Sequence, residues 1–352
     1  MEGILQRWGR CLVDGEGIMT EKKYKLKEFE ALRGLSILLL LALHSEVFDA
    51  SVFGFPVDPL AQVVAYFLLG SFFFLAGFFA EFSRQKPGEN AFSFIRSKVI
   101  RIFPPYWLAL ALFVFVIKFS LKRFDALMYI LNLQWLLSPV FIKHLITIWY
   151  ISVLVGYYIV FGILLFLVKS NRGLLVWSVI IFVAAFVANL TTGLFEPRFF
   201  QYYFVFLAGI YFYRFERERN FLLGMNFLYK AVIGLIALIL IWVVASAGFE
   251  MPNPLFILAV DLFIFGWVLM WLSIFRMRIG DLKVWGFLST ASFFAYLYHR
   301  PIWYVLDNAF GLEAGINKVF FNLIPGAITA LILGYFMQVG YNHLLTTLHL
   351  KG

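Results

Sequence analysis

The stretch 30–44, which reads EALRGLSILLLLALH, sets an arginine and a histidine at the two ends of one apolar run. Arg33 and His44 are separated by about three turns of an α-helix at 3.6 residues per turn. Both side chains therefore share one face of the helix, about 16 Å apart along its axis. Each ionisable side chain inside a membrane helix costs roughly 2.5–3.5 kcal/mol. We predict an anion-binding guanidinium at the inner border of a membrane and a proton acceptor near its middle.

The composition indicates that most of the chain is surrounded by lipid. Of its 352 residues, 62% are hydrophobic and only 14% are charged. A soluble domain carries about 45–50% apolar and about 25% charged residues. No water-soluble fold of this length could hide that excess, because part of every surface must face water. The sequence predicts an all-α polytopic membrane protein with membrane lipids as its surroundings.

The apolar runs predict about ten transmembrane helices, since a span needs about 20 mainly apolar residues. The candidate spans are 32–48, 60–82, 102–119, 145–168, 174–190, 199–213, 227–247, 255–275, 285–306 and 319–342. The shorter apolar stretch 124–137 is predicted to be a re-entrant or interfacial helix.

The loop charges orient these spans. With the N-terminus inside, most of the 29 lysines and arginines fall in inner segments, which predicts that both termini are cytoplasmic. The same pattern accounts for the net charge of +9 without a nucleic-acid partner. The predicted organisation is a cytoplasmic arm over 1–28, a membrane domain over 29–346 and a tail over 347–352. Met19 offers a second start, so residues 1–18 can be an upstream extension.

Four further motifs follow the first helix in order. They are FFFLAGFF at 72–79, FIRSKVIRIFPPY at 94–106, IWYIS at 148–152 and SFFAYLYHRP at 292–301. Together with the opening Arg33–His44 helix, this ordered set resembles the acyltransferase-3 family of membrane acyltransferases. The resemblance spans about residues 25 to 305.

The resemblance implies a ten-helix fold and an acyl-CoA donor, in the first place acetyl-CoA, taken from the cytoplasm. It implies transfer to a hydroxyl of a cell-surface or lipid-linked carbohydrate at the plasma membrane. It further implies that Arg33 and His44 are catalytic. The donor would be bound by four bases, Arg33, Arg96, Lys98 and Arg101.

The sequence departs from the family at two points. Lys98 stands where the family often has the first arginine of an Arg-x-x-Arg pair, and a lysine cannot bind phosphate bidentately. Residues 153–158 also lack the acidic side chains that many members carry there.

Elementary chemistry agrees with this interpretation. Coenzyme A is highly anionic, and its phosphates would make strong charge-assisted contacts with bases at the inner face. The arm that ends in the thioester could then reach inward toward His44. An imidazole with an ordinary pKa of about 6.5 is suited to removing a hydroxyl proton near neutrality. Whether His44 acts as a base or briefly carries the acyl group is left open by the sequence.

Other polar residues in or near the spans are weaker candidates for acceptor binding: His299, Trp149, Tyr150, Glu46 and Asp261. The alternative for His299 is a structural histidine bonded to a tyrosine, and the alternative for Glu46 is a solvated side chain. Asp261 has no local basic partner in the sequence. Glu81, near the inner end of the second predicted span, could pair with Arg33 in a purely structural ion pair. No cluster has metal-ligand spacing, so we expect no metal.

Two other classes of function remain open. A transporter or flippase could use intramembrane Arg, His and Asp for coupling, although it would usually show duplicated halves, which this sequence lacks. A noncatalytic membrane scaffold could keep the fold alone. Taken singly, Arg33 could extend to lipid headgroups and His44 could be an interhelical hydrogen-bonding residue.

Overall fold

A computed structural model describes residues 26–48, 58–143, 147–248 and 252–350. Within those ranges every regular element is a helix, and there is no strand. The long helices of the first half are α1 (Lys27–His44), α2 (Asp58–Arg84), α3 (Ala91–Phe115), α6 (Trp149–Leu167) and α7 (Asn171–Thr192). Between α3 and α6 lie the short α4 (Arg123–Ile130) and α5 (Gln134–Leu137). The predicted cytoplasmic arm up to residue 25 lies outside the described residues.

The second half continues with shorter and longer helices. These are α8 (Pro197–Gln201), α9 (Tyr203–Arg214), α10 (Glu216–Gly224), α11 (Phe227–Ser246), α12 (Pro254–Phe275) and α13 (Lys283–Phe310). The last pass comprises α14 (Ile316–Phe321), a π-helical turn (Asn322–Gly326) and α15 (Ala327–Thr347). The π-turn contains Pro325, which has no N–H to continue the regular ladder of hydrogen bonds.

Seven helical segments of the described chain are long and apolar enough to cross a membrane. They are α2, α3, α6, α7, α11, α12 and the last pass over Ile316–Thr347. The prediction of an all-helical, multi-pass membrane protein is confirmed at this level. Two of the segments predicted as single helices each comprise two helices. Segment 199–213 covers α8 and α9, and segment 124–137 covers α4 and α5.

Helices α1 and α13 run parallel and in close register. Lys27 donates to Asp281 just before α13, at 2.6 Å, and His44 contacts His299 further along. Between these points Gly34 brings the two helices together, because a Cβ there would lie 2.9 Å from the Trp285 ring. This register brings the two histidines, far apart in sequence, to the same level of the bundle.

Helices α2 and α9 touch backbone to backbone. A Cβ on Gly77 would lie 2.0 Å from the carbonyl oxygen of Phe206, and one on Gly209 would lie 2.1 Å from that of Phe74. Small residues that allow such close approach are typical of helix pairs in membranes. The contact carries Arg214, the last residue of α9, to the end of α2.

Glu81 at the end of α2 is fully buried and pairs with two arginines. Its carboxylate accepts from Arg84 at 2.5 Å and from Arg214 at 3.1 Å. The expectation that Glu81 pairs with Arg33 is therefore wrong. The physical reason is the close α2–α9 contact, which places Arg214 beside Glu81 and leaves Arg33 for another environment.

Candidate active site

A cavity of about 620 Å³ opens at the end of the bundle where α1 begins. Its lining residues include no Asp or Glu. They include four cationic side chains, which are Arg33, Lys86, Lys98 and Arg101. Half of its other lining residues are aromatic, and these aromatic residues come from α2, α6, α13 and α15. We call it the basic cavity. Its charge suits an anion of substantial size.

Arg33 reaches the basic cavity from the second turn of α1. Its guanidinium lies 5.5 Å from the centroid of the Phe79 ring. It is within electrostatic reach of Tyr150, Tyr158 and the carboxylate of Glu30. Because Glu81 is engaged with Arg84 and Arg214, no carboxylate of the described residues forms an ion pair with Arg33. The guanidinium therefore keeps its charge available to a ligand.

Lys98 and Arg101 reach the cavity from α3, whose first turn is closed by a capping box at Asn90. The Lys98 ammonium lies 3.3 Å from the Ser83 hydroxyl and 5.2 Å from the centroid of the Tyr158 ring. Residues three apart share a helix face, whereas residues two apart do not. Accordingly Arg101 lines the cavity with Lys98, while Arg96 is not among its lining residues.

The far end of the basic cavity is closed by aromatic side chains. Tyr150 and Tyr296 both line it, with ring centroids 5.4 Å apart, and the Tyr296 hydroxyl donates to the backbone carbonyl of Thr147. Tyr296 precedes His299 by about one helical turn. The cavity therefore ends just short of the two histidines, and His44 is not among its lining residues.

His44 and His299 form a hydrogen-bonded pair. Nδ1 of His44 lies 2.8 Å from Nε2 of His299, and the ring planes are within 7° of parallel. The ring centroids are 4.9 Å apart, so the rings meet edge to edge, as an in-line hydrogen bond between their nitrogens requires. His44 is the last residue of α1, whereas α13 continues past His299 to Phe310, so the pair lies inside the bundle.

His299 is fully buried, and its second nitrogen faces the backbone of its own helix. Nδ1 lies 2.8 Å from the carbonyl oxygen of Tyr296 and 3.1 Å from that of Ala295. His299 is thus bonded to a tyrosine, as the structural alternative had it, through the backbone carbonyl of Tyr296. Sequence reasoning missed the contact with His44. The available signal was that both were intramembrane histidines in need of a polar partner.

A second polar cluster, also missed from the sequence, surrounds Trp149. The Arg198 guanidinium lies 3.8 Å above the Trp149 ring, and its Nε donates to the carboxylate of Glu196 at 2.5 Å. Burial raises the pKa of Glu196, while the charge of Arg198 acts in the opposite direction. Glu46 is exposed and lies within electrostatic reach of Arg300.

Asp261 lies apart from these groups. It lines a separate cavity of about 280 Å³, whose other lining residues are all apolar and come from α7, α9 and α12. It therefore does not join Arg33 or the basic cavity. Among the residues that the structure describes, no group of three or more His, Cys, Asp or Glu could hold a metal ion.

Comparison with known proteins gives one match. The model of the acyltransferase-3 family, described as an acyltransferase domain, matches residues 26–339. That range contains α1, the basic cavity cations and both histidines. No curated protein and no solved structure shows significant similarity.

Proposed function

The chain belongs to the acyltransferase-3 family, and on this premise we propose that it is an integral-membrane O-acyltransferase. It moves an acyl group, in the first place acetyl, from cytoplasmic acyl-CoA to a hydroxyl of a cell-surface or lipid-linked carbohydrate. One observation carries the proposal. A cavity with four cations and no carboxylate among its lining residues ends one helical turn below a pair of imidazoles.

The proposed membrane topology has ten crossings with both termini cytoplasmic. It comprises the seven long apolar helices together with α1, α8–α9 and α13. This arrangement opens the basic cavity to the cytoplasm, where acyl-CoA is found, and agrees with the excess of bases in the segments on that side. The plasma membrane is the proposed location because the acceptor is a surface carbohydrate.

The basic cavity is the proposed donor site. The phosphates of acyl-CoA would contact Arg33, Lys98 and Arg101, where charge-assisted hydrogen bonds are strong. The slender arm of the donor would follow the aromatic wall toward α13. Because Tyr150 and Tyr296 stand between the cavity and the histidines, the acyl end must pass these two rings to reach His44.

The proposed chemistry is direct attack of the acceptor hydroxyl on the thioester. His44 removes the hydroxyl proton as the oxygen bonds to the carbonyl carbon. The carbon–sulfur bond then breaks, and the departing CoA sulfur takes that proton. General-base assistance of this kind contributes about 10²–10⁴-fold to the rate.

The acceptor is proposed to approach from the end opposite the basic cavity. There the Arg198 guanidinium lies over the ring of the buried Trp149, and Glu46 and Arg300 provide charges near the histidines. Aromatic faces combined with a few polar groups are typical of ligand sites that must orient a polar molecule. Tyr150 belongs to the donor side, and Asp261 has no part in either site.

Purified protein in lipid nanodiscs, supplied with acetyl-CoA labelled in the acetyl group, tests this function. We expect slow release of CoA in water and faster release with transfer of label when extracts of surface glycan or lipid-linked sugar are added. Proteoliposomes that accumulate a labelled anionic solute without cleaving the thioester would show a transporter instead. Protein that does neither would be a scaffold, and the enzymatic proposal would then be wrong.

A second prediction concerns the donor site. Replacing Lys98 by Gln should raise the KM for acyl-CoA roughly ten- to hundredfold, because loss of a hydrogen bond to a charged group costs about 1.5–3 kcal/mol. The kcat should change little, since Lys98 is remote from the reacting atoms. Arg33→Gln should raise the KM in the same way.

Arg96→Gln is the matched control for the donor site. It removes a cation two residues from Lys98 on the same helix, but Arg96 is exposed and is not among the cavity's lining residues. Its KM should stay within about twofold of the wild-type value, because exposed charges contribute little. Equal increases in KM for Arg96→Gln and Lys98→Gln would show that the donor does not occupy the basic cavity.

A further inference from the structure

The hydrogen bonds of His299 determine where its proton lies. Its Nδ1 faces two backbone carbonyl oxygens, which can only accept hydrogen bonds. Nδ1 must therefore carry a hydrogen and donate it. A carbonyl oxygen has two lone pairs, so the Tyr296 carbonyl can accept this bond in addition to a helical one. In a neutral imidazole the other nitrogen, Nε2, then has the lone pair and accepts.

The proton on His299 fixes the proton on its partner. Because Nε2 of His299 accepts, Nδ1 of His44 at 2.8 Å must donate to it. The neutral His44 ring then has its lone pair at Nε2. A doubly protonated His299 would instead donate from Nε2 to Nδ1 of His44, but it would bury a second positive charge beside Arg300, which is costly in a fully buried site.

We propose that His299 is a positioning residue that holds His44 in its Nδ1–H tautomer and so presents Nε2 as the reacting nitrogen. The inference rests on the proposed acyltransferase function for its catalytic consequence, but the tautomer itself follows from the geometry of the pair. His299 acts through His44 and does not contact the reacting atoms.

These tautomers account for every proton in the proposed acyl transfer. Nε2 of His44 takes the proton from the acceptor hydroxyl while the oxygen bonds to the thioester carbon. The resulting imidazolium donates through Nδ1 to His299 in a bond that its charge strengthens. When the carbon–sulfur bond breaks, Nε2 returns its proton to the CoA sulfur, and both rings regain their starting tautomers.

Two substitutions of His299 separate positioning from packing. His299→Gln places an amide oxygen near the position of Nε2, where it can still accept from His44, whereas His299→Leu fills the space without an acceptor. We expect His299→Leu to lower kcat roughly 10- to 100-fold with an unchanged KM for acyl-CoA. We expect His299→Gln to restore kcat to within a few fold of the wild-type rate.

The tautomer can be observed directly by solid-state NMR of protein labelled with ¹⁵N-histidine in liposomes. The chain has only five histidines, so His44→Asn and His299→Gln spectra assign the two signals by subtraction. In the wild type, both rings should show a protonated Nδ1 and an unprotonated Nε2. In His299→Leu, the His44 signal should shift to a tautomer protonated at Nε2 or to a mixture of the two.

The outcomes are distinct. A wild-type His44 protonated at Nε2, or a His299→Leu variant with full kcat, would overturn the positioning role. Equal losses of kcat in the Leu and Gln variants, following equal losses of thermal stability, would show a packing role only and would also overturn it. Absence of any acyl transfer by the wild type would refute the proposed function, and the NMR result would still decide the tautomer.

Discussion

Replacing His44 by alanine is expected to lower the rate of acyl transfer by about 10²–10⁴-fold, the usual contribution of a positioned general base. Binding of acyl-CoA should be nearly unchanged, because His44 is not among the residues that line the basic cavity. The measurement is release of CoA and transfer of labelled acetyl by protein in nanodiscs, with donor affinity determined separately. His343→Ala is the matched control, since His343 is an exposed residue of α15 and is not among the residues that line the basic cavity.

The alanine variant also leaves Nε2 of buried His299 without its donor, which costs about 1–3 kcal/mol of stability. His44→Asn separates this effect from catalysis. Its amide nitrogen lies near the position of Nδ1 and can still donate to His299, but it supplies no base at the position of Nε2. The asparagine variant should be as inactive as the alanine variant and more stable to heat. Substantial activity in either variant would exclude His44 as the base.

Local periodicity predicted that Arg33 and His44 share one face of α1, because spacing along a regular helix fixes the direction of a side chain. Lys98 and Arg101 were named through the family resemblance, and the spacing rule places these two residues on one face of α3. The same rule, applied to α3 alone, would have set Arg96 apart from Lys98. The family motif grouped Arg96, Lys98 and Arg101 and did not indicate which face of the helix each side chain occupies.

Contacts between helices could not be predicted in the same way. The pairing of His44 with His299 depends on the parallel register of α1 and α13, in which Gly34 packs closely against Trp285. The sequence of an apolar span does not distinguish its lipid-facing side from its helix-facing side, since both lipid and neighbouring helices favour apolar residues. A single sequence therefore shows which side chains need polar partners but not which partners they find.

The partners of Glu81 likewise depend on a contact between helices. Substitution of Glu81 is expected to have the largest effect on stability. Its carboxylate is fully buried between Arg84 and Arg214, and the Arg214 side chain is only 8% exposed. Replacing Glu81 by Ala should destabilise the fold by about 3–5 kcal/mol, the usual cost of leaving a buried charge without its partner. Most of the cost should arise at Arg214, because Arg84 is more exposed and can turn toward water.

Thermal unfolding in detergent measures this effect, and Asp281→Ala is the matched control. Asp281 pairs with Lys27 at 2.6 Å, but both side chains are well exposed, so its loss should cost no more than about 1 kcal/mol. Combining Glu81→Leu with Arg214→Leu should recover much of the stability lost by Glu81→Ala, since an apolar pair removes the uncompensated charge. If the single and double variants were equally unstable, the loss would come from packing at the α2–α9 contact. If Glu81→Ala cost no more stability than Asp281→Ala, then Arg84 and Arg214 would not depend on Glu81 to balance their charges.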